Sequence, residues 1–143
     1  MSKQRKSNTF EKEYIAICEG IFDEKTGIIN APIARKENSI IERCINLNGD
    51  IAITHYEVLN EYYNNSNAYS VVKCKLETGR THQIRVHMKY INHPLLGDTL
   101  YGISSTLINR QALHSYKTSF IHPILKTPVS YIAPLPEDMK ILI

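Results

Sequence analysis

The chain is 143 residues long, 43% hydrophobic and 22% charged, with a formal net charge of +3. These values fit one soluble globular domain, and no apolar run is long enough to span a bilayer. The cysteines, Cys18, Cys44 and Cys74, are scattered without a C-x-x-C pair, which argues against a disulfide framework and a zinc site and fits a reducing, cytoplasmic setting.

Met1 to Phe10 is polar and basic, with Lys3, Arg5 and Lys6, and lacks the apolar stretch of a secretory signal. Tyr14-Ile-Ala-Ile-Cys18 is apolar on both faces, which predicts a covered strand ended by Gly20. Gly27 to Ile33 predicts a second strand, with Pro32 confining it to an edge or a bulge. Asn48-Gly49 signals a turn. Ile51 to Leu59 and Tyr69 to Glu77 read as strands joined by the polar loop NEYYNNSN. Val72, Cys74 and Leu76 share one face of the second strand, and Val71, Lys73 and Lys75 share the other. Cys18 and Cys74 read as small core hydrophobes.

Gly79 breaks that strand at a turn expected to need positive φ. Thr81 is the expected N-cap of a helix running to about Ile91, with Ile84, Met88 and Ile91 as its apolar stripe. His93-Pro94 stops it. Strands are expected over Ala112 to Ile121 and near Val129 to Ala133, then a short terminal helix with Pro136 near its first position.

The segment LETGRTHQIRVHMKYINHPLLGDTLYG, Leu76 to Gly102, gathers the chemistry. A strand, a glycine turn and a helix start present unpaired N–H groups to an anion. Arg80 lies at the turn, His82 and Gln83 in the first helical turn, and Arg85 follows Ile84. Arginine is suited to a two-pronged bond with a carboxylate or phosphate. Lys73, Lys75 and Lys89 extend the basic character, which permits a nucleic-acid partner, RNA or DNA, although such clusters are more often solvated faces. On pattern alone the same residues also fit a solvated helix end. His82 and His87, five apart, do not share a helix face, so no metal site is expected. His55, His114 and His122 read as ordinary strand histidines.

That segment closely resembles the signature of the RluA family of RNA pseudouridine synthases. Lys12-Glu-Tyr14 with IAICEG resembles the family's K-x-Y strand, GIINAPIAR its next strand, and NGDIAITHYEVL its A-x-T-x-Y-x-V strand. RQALHSYKTSFIHPI resembles its A-L-H-A segment and APLPEDM its closing A-P-x-P, so the likeness runs from Lys12 to Met139. The resemblance implies an α+β fold, a mixed and largely antiparallel sheet with flanking helices, filled by residues 1–143 as one C-terminal portion of a catalytic domain. It implies isomerisation of uridine to pseudouridine in structured RNA (rRNA or tRNA), with no cofactor and no membrane. By the same resemblance Tyr14 stacks on the uracil, Ile84 packs against the flipped base, and Arg85 pairs with the catalytic Asp. Arg80, His82 and Gln83 are candidates for holding the RNA backbone or the helix turn.

The family's catalytic motif, H-R-L-D-x-x-T-S-G, belongs upstream of Lys12 and is not in this sequence. Asp98, in H-P-L-L-G-D, is assigned to structure, and Arg85 is left without a designated partner. The chain is therefore expected to be a C-terminal fragment, a subunit completing its site with a second chain, or a non-catalytic RNA-binding remnant. Alone it is expected to be inactive.

Overall fold

In the computed structural model the described residues are 10–64, 67–122 and 124–143. The basic residues Lys3, Arg5 and Lys6 lie outside them. Eight strands form: β1 (Phe10–Glu19), β2 (Thr26–Asn30), β3 (Ile33–Arg35), β4 (Arg43–Ile45), β5 (Ile53–Asn64), β6 (Asn67–Leu76), β7 (Leu113–Ile121) and β8 (Pro128–Ile132). Among the described residues the helices are α1 (Gln83–Tyr90) and α2 (Glu137–Lys140). β2-β5-β6-β1-β7-β8 make one six-stranded sheet and β3-β4 a separate hairpin. Every strand pair is antiparallel.

β1 is central because it can be buried on both sides. Ala16 and Cys18 face a core completed by Val72, Cys74, Ile84, Met88 and Leu95. Ile15 and Ile17 face a second core with Val71, Leu96, Ala112 and Met139. Thus α1 covers one face and the 96–112 connection with α2 covers the other. The expected stripe of Ile84, Met88 and Ile91 docks as read. Burial raises both core thiols, Cys74 to about 12, so Cys18 and Cys74 are packing groups and not nucleophiles.

Four local expectations change. The Gly27–Ile33 strand divides, because Ala31-Pro32 leaves β2 and Pro32 cannot donate to a ladder. The tract NEYYNNSN is mostly ribbon: β5 runs to Asn64 and β6 starts at Asn67, with Tyr62 paired across to Tyr69 and their rings stacked 5.2 Å apart. Gly79 is not left-handed; the positive φ, 57°, falls on His82. His82 also holds the N-cap position in place of Thr81 and makes no side-chain cap bond. Elsewhere the left-handed glycines among the described residues are Gly20 and Gly97. At Gly97 a side chain would also strike the Arg110 carbonyl.

No helix among the described residues is long and apolar enough to cross a membrane.

Candidate active site

A cleft of about 350 Å³ opens on the α1 face of the sheet, lined by Tyr14, Leu76, Arg80, His82, Gln83, Ile84, Arg85, Gln111 and Leu113. β1 supplies Tyr14, and the β1–β7 register shifts between Glu13 and Tyr14. Such an irregularity re-aims a strand side chain at a site. The β6–α1 turn supplies Arg80 and His82, and the first turn of α1 supplies Gln83, Ile84 and Arg85.

The turn holds its shape through Gln83, which is buried. Its Oε1 accepts from Thr78 Oγ1 at 2.7 Å and from the Arg80 N–H at 3.0 Å. Its Nε2 donates to the Ile53 carbonyl at 3.0 Å and to Thr54 Oγ1 at 2.9 Å. The chain of bonds continues inward. Thr54 Oγ1 lies 2.8 Å from His87 Nδ1, and His87 Nε2 donates to the Ala31 carbonyl at 2.9 Å. With Nε2 donating, Nδ1 accepts the threonine proton, so His87 is neutral. Burial holds its pKa below the ordinary imidazole value, against the Ala31 bond. Both Gln83 and His87 are therefore spent on fixing α1 to β5. Gln83, from sequence a candidate for holding the RNA backbone or the helix turn, has each polar atom engaged within the protein and holds the turn.

Arg85 lies on the other side of the same helix. Its Nε and Nη2 donate to Asp98 Oδ2 and Oδ1 at 2.9 and 2.8 Å. Asp98 is fully buried and also accepts from the Leu100 and Tyr101 N–H groups at 3.2 Å. Burial pushes its carboxyl pKa up, but the Arg85 and backbone donors outweigh that and hold it below the ordinary range. The expectation that Arg85 lacks a partner in this chain is thus corrected: Asp98 supplies a bidentate one. The sequence signal was the Gly97-Asp98 turn, where an Asp side chain reaches N–H groups two and three residues on. Arg85 also lies over the Tyr101 ring, 5.0 Å from its centroid. Its Nη1 donates to no described residue.

Arg80 is exposed, with Nε donating to the Ile51 carbonyl at 2.7 Å. Its outer guanidinium nitrogens donate to no described residue, and Arg80 lines the cleft. His82 Nδ1 lies 2.7 Å from the Tyr101 hydroxyl. Burial, then the Arg85 and Arg43 charges, lower its pKa. Tyr101 was not singled out in the sequence, because an aromatic in T-L-Y-G carries no local mark of its partners.

Tyr14, Arg80, His82, Gln83, Ile84 and Arg85 are brought together. Lys73, Lys75 and Lys89 are not. Lys73 shares the sheet face of Val71, away from the cleft, and ion-pairs with Glu57 at 3.1 Å. Lys75 is exposed on that same face by strand alternation. Lys89 lines a separate groove of about 200 Å³ with Lys36, Arg43 and Tyr90. Among the described residues no Asp or Glu lines the cleft. Among the described residues no cluster of His, Cys, Asp and Glu could hold a metal ion.

A family model described as RNA pseudouridylate synthase matches residues 1–90. The chain belongs to the RNA pseudouridylate synthase family. The uncharacterized RNA pseudouridine synthase YjbO of Bacillus subtilis (strain 168) is 46% identical over 143 residues, all of this chain and 49% of that protein. The ribosomal large subunit pseudouridine synthase D of Blochmanniella floridana is 39% identical, over 92% of this chain and 45% of its own length. The solved structure of human RNA pseudouridylate synthase domain containing 1 superposes with a TM-score of 0.77 at 27% identity, covering 94% of this chain and 58% of that one. The antiparallel, helix-poor sheet is therefore that of a pseudouridylate synthase domain. The chain spans about half the length of the curated relatives it matches.

Proposed function

We propose that this chain forms the tyrosine and arginine side of an RNA pseudouridine synthase, acting on uridine in structured RNA. The observation that carries this reading is the cleft itself, where Tyr14, Ile84 and Arg85 converge beneath the cationic Arg80. Ribosomal RNA is the favoured substrate class, because the similar Blochmanniella floridana protein is named for the large ribosomal subunit.

The reaction breaks the glycosidic N–C bond, turns the uracil in place and re-forms a C–C bond. The target base must first leave its stack. Tyr14 offers a ring for stacking and Ile84 an apolar wall against the base. Arg80 meets the backbone phosphates. Among the described residues the cleft lining holds no Asp or Glu, so on this reading the carboxylate that works at the sugar carbon is supplied from outside them. Arg85 receives it: two of its donors are fixed on Asp98, which locks the guanidinium plane, and Nη1 is left for the incoming carboxylate.

An isomerisation assay on uridine-containing RNA tests this. The chain alone yields no pseudouridine. The chain joined to the remaining half of a relative such as the Bacillus subtilis protein does. Product from the 143 residues alone would place the reacting carboxylate among them, and no product from the joined protein would defeat the reading.

A further inference from the structure

Resting on the uridine cleft just described, we propose that His82 works there as a neutral hydrogen-bond donor, offering Nε2–H to a carbonyl oxygen of the bound base, and that Tyr101 is the positioning residue that fixes its tautomer.

The tautomer follows from counting donors at one oxygen. Tyr101 is buried. Its hydroxyl oxygen already accepts the Arg43 N–H at 2.8 Å. The hydroxyl proton must go to an acceptor, and the neighbour within reach is His82 Nδ1 at 2.7 Å. If Nδ1 carried a proton, two donors would converge on the phenol oxygen and the hydroxyl proton would have no acceptor. A buried donor left unmade is costly, so Nδ1 accepts and the ring proton sits on Nε2. Nε2 has no partner among the described residues, and the ring lines the cleft.

The ring is also held in place. Its edge contact with Tyr101 puts the ring centroids 5.4 Å apart at 77°. The backbone φ of 57° is uncommon outside glycine, and histidine is among the residue types, with asparagine and aspartate, that adopt it most often. The surrounding structure must over-determine such a residue, as functional sites do. Here the helix start and the β3–β4 hairpin, through the Arg43 N–H, both bond to the Tyr101 hydroxyl of the 98–101 turn, which holds the His82 ring.

Charge decides the acceptor. Burial, then the Arg85 and Arg43 charges, disfavour an imidazolium. A phosphate at the same entrance is better served by Arg80. A neutral N–H suits the neutral carbonyl of a uracil, and a base carrying an amino group there would present a donor to a donor.

The test is nitrogen NMR of the labelled chain at neutral pH, free and with added uridine-containing oligoribonucleotide. The expected spectrum of the free chain shows Nε2 protonated and Nδ1 bare. Tyr101→Phe should release the ring into a mixture of tautomers. A protonated Nδ1 in the free wild-type chain would overturn the proposal without any ligand. On titration the His82 Nε2–H signal should shift with the uridine oligonucleotide, and inorganic phosphate should leave it unmoved. Shifts at Tyr14 and Ile84 without one at His82 would overturn the donor role and leave the cleft reading intact. No shift at any cleft residue would overturn both. His82→Asn, whose residue type tolerates the left-handed backbone, should retain the fold and weaken oligonucleotide binding roughly threefold to tenfold.

Discussion

The inner and outer sides of one short segment, Thr78 to Met88, are built on opposite principles. On the inner side every polar group is satisfied within the protein: Thr78, Gln83, Thr54 and His87 form an unbroken chain of bonds into the core. On the outer side Arg80 and Arg85 use part of their donor capacity internally, His82 accepts an internal bond at Nδ1, and each keeps a donor for the cleft. The first arrangement makes a rigid platform, because buried polar groups are expensive unless fully paired. The second makes a binding surface. The internal bond at each outer residue fixes direction, and the remaining donors give affinity for an anion or a base.

This contrast breaks most severely at Arg85. Arg85→Ala leaves the buried Asp98 carboxylate without its cation and should cost about 3–5 kcal/mol in a denaturant titration. Arg85→Lys keeps the charge but loses the fork, and should fall between wild type and alanine. Equal stability of all three would mean the pair does not anchor the 98–101 turn.

Gln83→Leu should come next. It fills similar space but strands the Thr78, Arg80 and Thr54 partners, at about 3 kcal/mol. Its melting curve should shift without any direct loss of a cleft donor.

Smaller still is the dependence on pH. His87 is held neutral in the folded chain by burial, and His82 by burial and neighbouring cations, so both have lowered pKa values. The unfolded chain takes up protons that the folded chain refuses. Their stabilising contribution is complete above about pH 6.5, the ordinary imidazole value. It declines as pH falls below that toward the folded values. Unfolding free energy measured from pH 7.5 to 5 should drop, and His87→Gln should remove part of the slope. A flat profile in the wild type would contradict the buried neutral imidazole.

Much of the platform was legible in the sequence because it follows periodicity. The central strand Tyr14–Cys18, the two-faced β6 and the α1 stripe all rest on repeats of 2 or 3.6 residues. The cleft's Tyr14, Ile84 and Arg85 were legible through motif resemblance. What escaped was set by contacts distant in sequence. Asp98 and Tyr101 meet Arg85 and His82 across 13 and 19 residues. The left-handed residue fell on His82 and not on Gly79, because the turn tightens one step into the helix start, where Gln83 pins the Arg80 N–H. Lys73 looked like part of a basic surface, but strand alternation turns it to the face opposite the cleft and Glu57 engages it.

The smallest effect on stability carries the most direct test. Arg80 is exposed, so Arg80→Ala should change the unfolding free energy by no more than about 0.5 kcal/mol. If the outer donors serve RNA, the same change should weaken binding of structured RNA to the chain. It should also reduce the slope of log affinity against log salt by about 1, whereas Lys73→Ala should leave both near wild type. Arg80→Ala binding RNA as wild type does, or Lys73→Ala proving the more damaging of the two, would contradict the assignment of the RNA face to the cleft.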